Sequence, residues 1–198
     1  MPNAQPAQMI VRAPADALAA SAKAATRRGP PPVHLWDPPF CGDIDMEIRR
    51  DGTWFHEGTP IGRPEMVRLF ASILKREGDR HFLVTPVEKV GIRVQDAPFV
   101  AVDCAVEGSG PGQRLTFTTN VGDEVTADAG NPIRVEIAAG GEPTPYVHVR
   151  RGLEALIDRK TFYRLVEIAD RAPHAGEDWL GLWSSGVFFP ILPARDLP

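Results

Sequence analysis

From His81 to Arg150 the chain carries strand signals one after another with no helical period between them, and this run limits the fold more than any other feature. Val/Ile/Phe-rich segments fall at 82–84, 87–95, 99–106, 114–119, 124–127, 133–138 and 146–150. Each is bounded by Gly, Pro, Asn or Asp turn chemistry, as in Gln95-Asp96-Ala97-Pro98 and the run from Gly108 to Gly112. Parallel βαβ winding needs crossover helices, and none lies between these strands. The pattern predicts a strongly bent antiparallel sheet or partial barrel of about seven strands, capped by a helix over 158–171.

Upstream the signals differ. Ile44, Met46 and Ile48 alternate with Asp45, Glu47 and Arg49, a half-exposed strand, and Asp51-Gly52 supplies the tight turn back into Trp54. After Pro64, the residues Met66, Leu69, Phe70, Ile73 and Leu74 recur on one helical face until Gly78. A shift of 96 residues matches Ile61, Arg63, Arg68 and Leu69 to Ile157, Arg159, Arg164 and Leu165, which suggests a repeated strand-helix unit. The expected organisation is therefore α+β, with an Ala-rich extension over 1–32 and a hairpin-helix unit over 33–80. A bent-sheet unit follows over 81–172, and an aromatic-rich tail over 173–198 packs on the core.

Composition removes several function classes. A net charge of -4 over 198 residues leaves no basic field for double-stranded nucleic acid. No run of apolar residues is long enough for a membrane helix, so a cytoplasmic protein is expected. Cys41 and Cys104 are isolated, and the five histidines are scattered, so neither a metal site nor a bound cofactor is expected. Nucleotide-loop, nucleophile-elbow and HExxH patterns are absent, and no catalytic residue is assigned.

The stretch LVTPVEKVGIRVQDAPFVAVD (83–103) holds the most unusual polar residues. Counting by two, Glu88 falls with Val90, Ile92 and Val94 on the apolar face, whereas Lys89 falls with Gly91, Arg93 and Gln95. Glu88 pointing inward must either reach water at an exposed strand mouth or be paired, and Arg63 and Arg159 ahead of the two helices are the pairing candidates. Pro86 reads as a strand break and Gln95–Pro98 as a hairpin. Trp54 for stacking, with Arg63, Thr85, Glu88 and Lys89 for polar contacts, forms the candidate ligand set. Asp45, Glu88 and Asp103 are the carboxylates that an unrecognised hydrolase or lyase would use. Asp103 lies on a strand apolar on both faces, so it either sits at the strand exit or is partly buried with a partner.

The segments DIDMEIRRDGTWFHEGTPIGR, LVTPVEKVGIRVQDAPFVAVD and LTFTTNVGDEV resemble the bacterial family labelled domain of unknown function 1285, over roughly 36–189. The resemblance implies a two-part α+β fold with a repeated strand-helix motif and a C-terminal part similar to pleckstrin-homology domains. It also implies a site between the two parts for a nucleotide-like molecule in bacterial signalling, and it brings no catalytic residues. The expected function is a non-catalytic ligand-binding or regulatory module. The alternative is an interaction scaffold with a protein partner on the aromatic tail or a sheet edge, and an enzyme is the lesser expectation.

Overall fold

The structure is a computed structural model and describes residues 15–26, 31–138 and 140–196. Of the expected extension over 1–32, residues 1–14 and 27–30 lie outside the described residues. The chain divides into two compact units, Met1–Asp96 and Ala97–Pro198.

The first unit begins with helix α1 (Ala15–Ala25). Next come strands β1 (Phe40–Ile48), β2 (Trp54–His56) and β3 (Thr59–Pro60). Helix α2 (Pro64–Ser72) is followed by β4 (Leu74–Glu77), β5 (Arg80–Val84) and β6 (Lys89–Val94). The strands form one sheet in the order β3-β2-β1-β6-β5-β4. Pro64 starts α2 where its missing N–H costs nothing. The helix stops at Ser72, short of the expected end at Gly78: Ile73 is its C-cap and Leu74 opens β4. Both are still buried, at 0% and 4% exposed, so the apolar period continued through a change of element that it could not reveal. One face of this sheet forms the core with α2, where Trp54 stacks on Phe70 and Met46, Ile48, Leu83 and Val90 are buried.

The second unit holds β7 (Phe99–Glu107), β8 (Arg114–Thr119), β9 (Glu124–Thr126) and β10 (Ile133–Ile137). It continues with β11 (Pro143–Arg150), β12 (Leu153–Ile157) and helix α3 (Arg159–Glu167). The chain then forms β13 (Asp170–His174), β14 (Glu177–Ser184) and β15 (Val187–Pro193). Its main sheet runs β10-β11-β12-β7-β8-β9, and β13-β14-β15 forms a separate sheet. Phe99, Leu115, Phe117, Val147, Leu153, Leu165 and Leu182 fill its core.

Four expectations change. The boundary moves from 80/81 to 96/97, because β5 and β6 pair inside the first sheet. Gln95–Pro98 is therefore the passage between units and not a hairpin. The second unit's main sheet has six strands and is mixed, not an antiparallel sheet of seven, since β7 and β12 run parallel. Parallel neighbours arise without a βαβ unit: in each six-stranded sheet, the first and last strands of two successive meanders meet at the centre. A parallel pair needs a long connection, and strands can supply it as well as a helix. Finally, the aromatic tail, for which no regular element was expected, forms most of the β13-β14-β15 meander.

The 96-residue echo is longer than its four identities. Adding 96 to α2 (64–72) gives 160–168 against α3 at 159–167, and adding it to β4 (74–77) gives 170–173, inside β13. β5 and β6 likewise land on β14 and β15 to within three residues at their starts. Both units thus contain the order meander, helix, meander.

Candidate functional site

The polar face of the first sheet is organised along β6, whose alternate residues Lys89, Gly91 and Arg93, followed by Gln95, share one side as their parity requires. Each position carries a pair. Lys89 Nζ reaches Glu77 Oε2 at 3.0 Å, Arg93 Nη2 reaches Asp45 Oδ1 at 2.9 Å, and Gln95 Nε2 reaches Glu47 Oε1 at 3.2 Å. At Gly91, which has no side chain, Arg80 from β5 meets Asp43 from β1. A Cβ on Gly91 would run into the Asp43 carboxylate and stand 2.9 Å from Arg80 Nη2. The glycine is thus the floor on which this ion pair rests.

β1 bends to make the approach. Between the partners Asp43↔Gly91 and Glu47↔Arg93 it uses four residue steps against two on β6, and Gly42 just before sits at φ 107. The result is a groove of about 380 Å³ lined by Asp43, Glu47, Arg80, His81, Gly91 and Arg93 among others. Arg80 lies over Phe40 and Phe82, 5.4 and 5.0 Å from their ring centres, and Phe40 is 49% exposed. Burial, reinforced by Arg76, lowers the His81 pKa to about 4, so its imidazole is neutral at pH 7. The Glu77 carboxyl is held below its usual value by hydrogen bonds from Lys75 and then Lys89.

The five sequence candidates do not line this groove. Trp54 is 1% exposed beneath α2, a core residue whose indole N–H has no partner. Arg63 precedes α2 and pairs with Asp16 of α1 at 3.0 Å. Thr85 is fully buried, and its hydroxyl accepts from the Glu88 amide at 3.2 Å, which closes the β5–β6 turn. Pro86 belongs to this same turn. Glu88 is half-buried in the β5–β6 turn, just outside β6, and the two arginines expected to meet it pair elsewhere, Arg63 with Asp16 and Arg159 with Glu142. Lys89 joins the ladder and lies over the Phe82 ring at 5.3 Å. The sequence contained a signal for the true floor: a glycine inside the β-branched run KVGIRV often marks a close approach.

The carboxylates considered for acid or base chemistry are also accounted for. Asp103 is 63% exposed and not partly buried, because β7 extends past its partner β12 there. Its pKa is lowered by Arg164 and then by the Cys104 amide, the wrong direction for a general acid. Asp45 is ion-paired on the ladder. In the tail, Phe189 is buried at 4% and Trp183 is half-buried against Phe188, so the aromatics serve packing. Among the described residues no His/Cys/Asp/Glu group is arranged to hold a metal, and no helix is long and apolar enough to cross a membrane.

Two family models match the chain: the N-terminal domain of a domain of unknown function (DUF1285) over residues 31–97, and the C-terminal domain of the same family over 98–191. Their junction falls one residue from the boundary between the two compact units. The chain is 66% identical to a DUF1285 family protein from Silicibacter pomeroyi DSS-3, known from a crystal structure at 2.50 Å. That match has a TM-score of 0.82 and covers 90% of this chain and 96% of the other. It is 30% identical to a DUF1285 family protein from Shewanella baltica OS155, with a TM-score of 0.49 and coverage of 63% and 92%. No curated protein matches.

Proposed function

The chain belongs to the DUF1285 family, and from that premise we propose that it is a non-catalytic small-molecule-binding or regulatory module of bacterial signalling, with a nucleotide-like ligand in the groove over Gly91. One observation carries the reading: Gly91, buried beneath the Arg80–Asp43 pair, lets a half-exposed guanidinium and a largely covered carboxylate meet on the wall of a groove open to solvent. Glycine in a strand interior weakens the strand unless something must come close to it. Phe40 offers a ring for stacking, Arg80 and Arg93 offer fork-shaped donors for phosphate, and Asp43 and Glu47 accept from base N–H groups. Each of these polar groups already has an internal partner, so a ligand's phosphate competes with Asp43 and Asp45 for the guanidiniums and its base competes with Arg80 and Gln95 for the carboxylates.

The reading is tested by thermal unfolding of the full chain against a panel of purine and pyrimidine nucleotides at millimolar concentration. A ligand at about a hundredfold excess over Kd stabilises by about 2.7 kcal/mol, a readily measured shift. Wild type is expected to respond and Arg80→Ala to lose the response. A wild type indifferent to every nucleotide would sink the nucleotide reading.

A further inference from the structure

β7 pairs in parallel with β12 from Phe99 to Ala101 and antiparallel with β8 from Ala101 onward. The β12 pairing ends there because Asp158 turns the chain into α3: its amide donates to the Ala101 carbonyl, and its carboxylate caps the Thr161 amide. β8 continues beside β7 as far as Glu107, so residues 102–107 have a strand on one side only among the described residues. Val102 and Val106 on this segment are 41% and 43% exposed. A bare edge of this kind accepts any strand that reaches it.

At Cys104 the main-chain groups are taken. Its amide donates to Asp103 Oδ1 at 2.8 Å, and its carbonyl accepts from Arg164 Nη2 at 2.8 Å. Arg164 Nη1 holds the same Asp103 Oδ1 at 2.7 Å. One ion pair between β7 and α3 therefore fills the donor and the acceptor that a neighbouring strand would use. We propose that the Asp103–Arg164 pair is a strand mimic that keeps the 102–107 edge of β7 from pairing with a second copy of this chain. A second copy is the occupant held off because the same edge in each copy offers the same donor and acceptor row and the same two valines, which makes it self-complementary.

Arg164→Ala and Asp103→Ala test this, with sedimentation velocity on the full chain as the readout. Both side chains are largely exposed, at 46% and 63%, so folding is expected to survive, and circular dichroism checks it. Each variant is expected to self-associate at least about tenfold more tightly than wild type. Adding Val106→Lys, a charge on the open edge, is expected to restore the monomer. Folded variants that stay monomeric overturn the proposal, as does association that Val106→Lys leaves unchanged. Hydrogen exchange of wild type gives an arm without mutation: the Cys104 amide is expected to exchange more slowly than the Val106 amide, and equal rates overturn the cap.

Discussion

The carboxylate of Asp43 and the guanidinium of Arg80 meet directly above the Cα of Gly91, from strands on either side of it. Neither could reach the other if position 91 carried a side chain. Gly91→Ala is therefore expected to push the pair apart and destabilise the first unit by roughly 1–3 kcal/mol, the usual cost of overpacking. Urea unfolding measures it. In an Arg80→Ala, Asp43→Ala background the same alanine should cost little, and a cost that persists there would place the strain elsewhere.

His81 makes the stability of the first unit depend on pH. Its folded pKa of about 4 lies below its ordinary 6.5, so below 6.5 the unfolded chain takes up a proton that the folded chain refuses. Stability from this ring is complete above 6.5 and is lost as pH falls towards 4. Allowing for solvent at a half-buried ring, the loss is on the order of 1–2 kcal/mol. Comparing unfolding free energies above pH 7 with those near pH 5, for wild type and His81→Gln, isolates the effect. The variant is expected to show the flatter curve.

The alternation along β6 was legible because strand parity is a local property: Lys89, Gly91, Arg93 and Gln95 needed only counting. The partners they meet were not. Asp43, Asp45 and Glu47 come from a strand that pairs with β6 in parallel across the whole intervening β2-to-β5 segment, and the register depends on a bulge with no sequence signature. For the same reason the unit boundary was misplaced, since nothing local says that β5 and β6 join a strand upstream. Trp54 looked like a stacking platform because an aromatic beside a turn has two uses, and only its burial under α2 decides between them.

Ser184 ties the last meander to the second unit's main sheet. Its fully buried hydroxyl accepts from the Leu115 amide at 3.0 Å and donates to the Ala127 carbonyl at 2.7 Å. Ser184→Ala removes both bonds and leaves a buried amide and a buried carbonyl unpaired, at a cost of about 1–3 kcal/mol. Chemical denaturation is the measure. Amide exchange should accelerate at Leu115 first, and a variant as stable as wild type would mean that the meander is held by its apolar contacts alone.

Glu77 stands between two half-buried ammonium groups, Lys75 Nζ at 2.9 Å and Lys89 Nζ at 3.0 Å, whose side chains are 23% and 15% exposed. Both lysines hold its carboxyl below the ordinary value, so the stabilisation is present above the unfolded pKa of about 4.5 and fades as pH falls below it. Glu77→Gln removes the charge that keeps two like charges together and is expected to cost roughly 1–2 kcal/mol near neutral pH. Adding Lys89→Met keeps the apolar stem over Phe82 while removing one of the repelling charges, so it should recover much of that loss. The four unfolding free energies form a double-mutant cycle. A coupling energy near zero would show that Lys89 is held by its stem on Phe82 and not by Glu77.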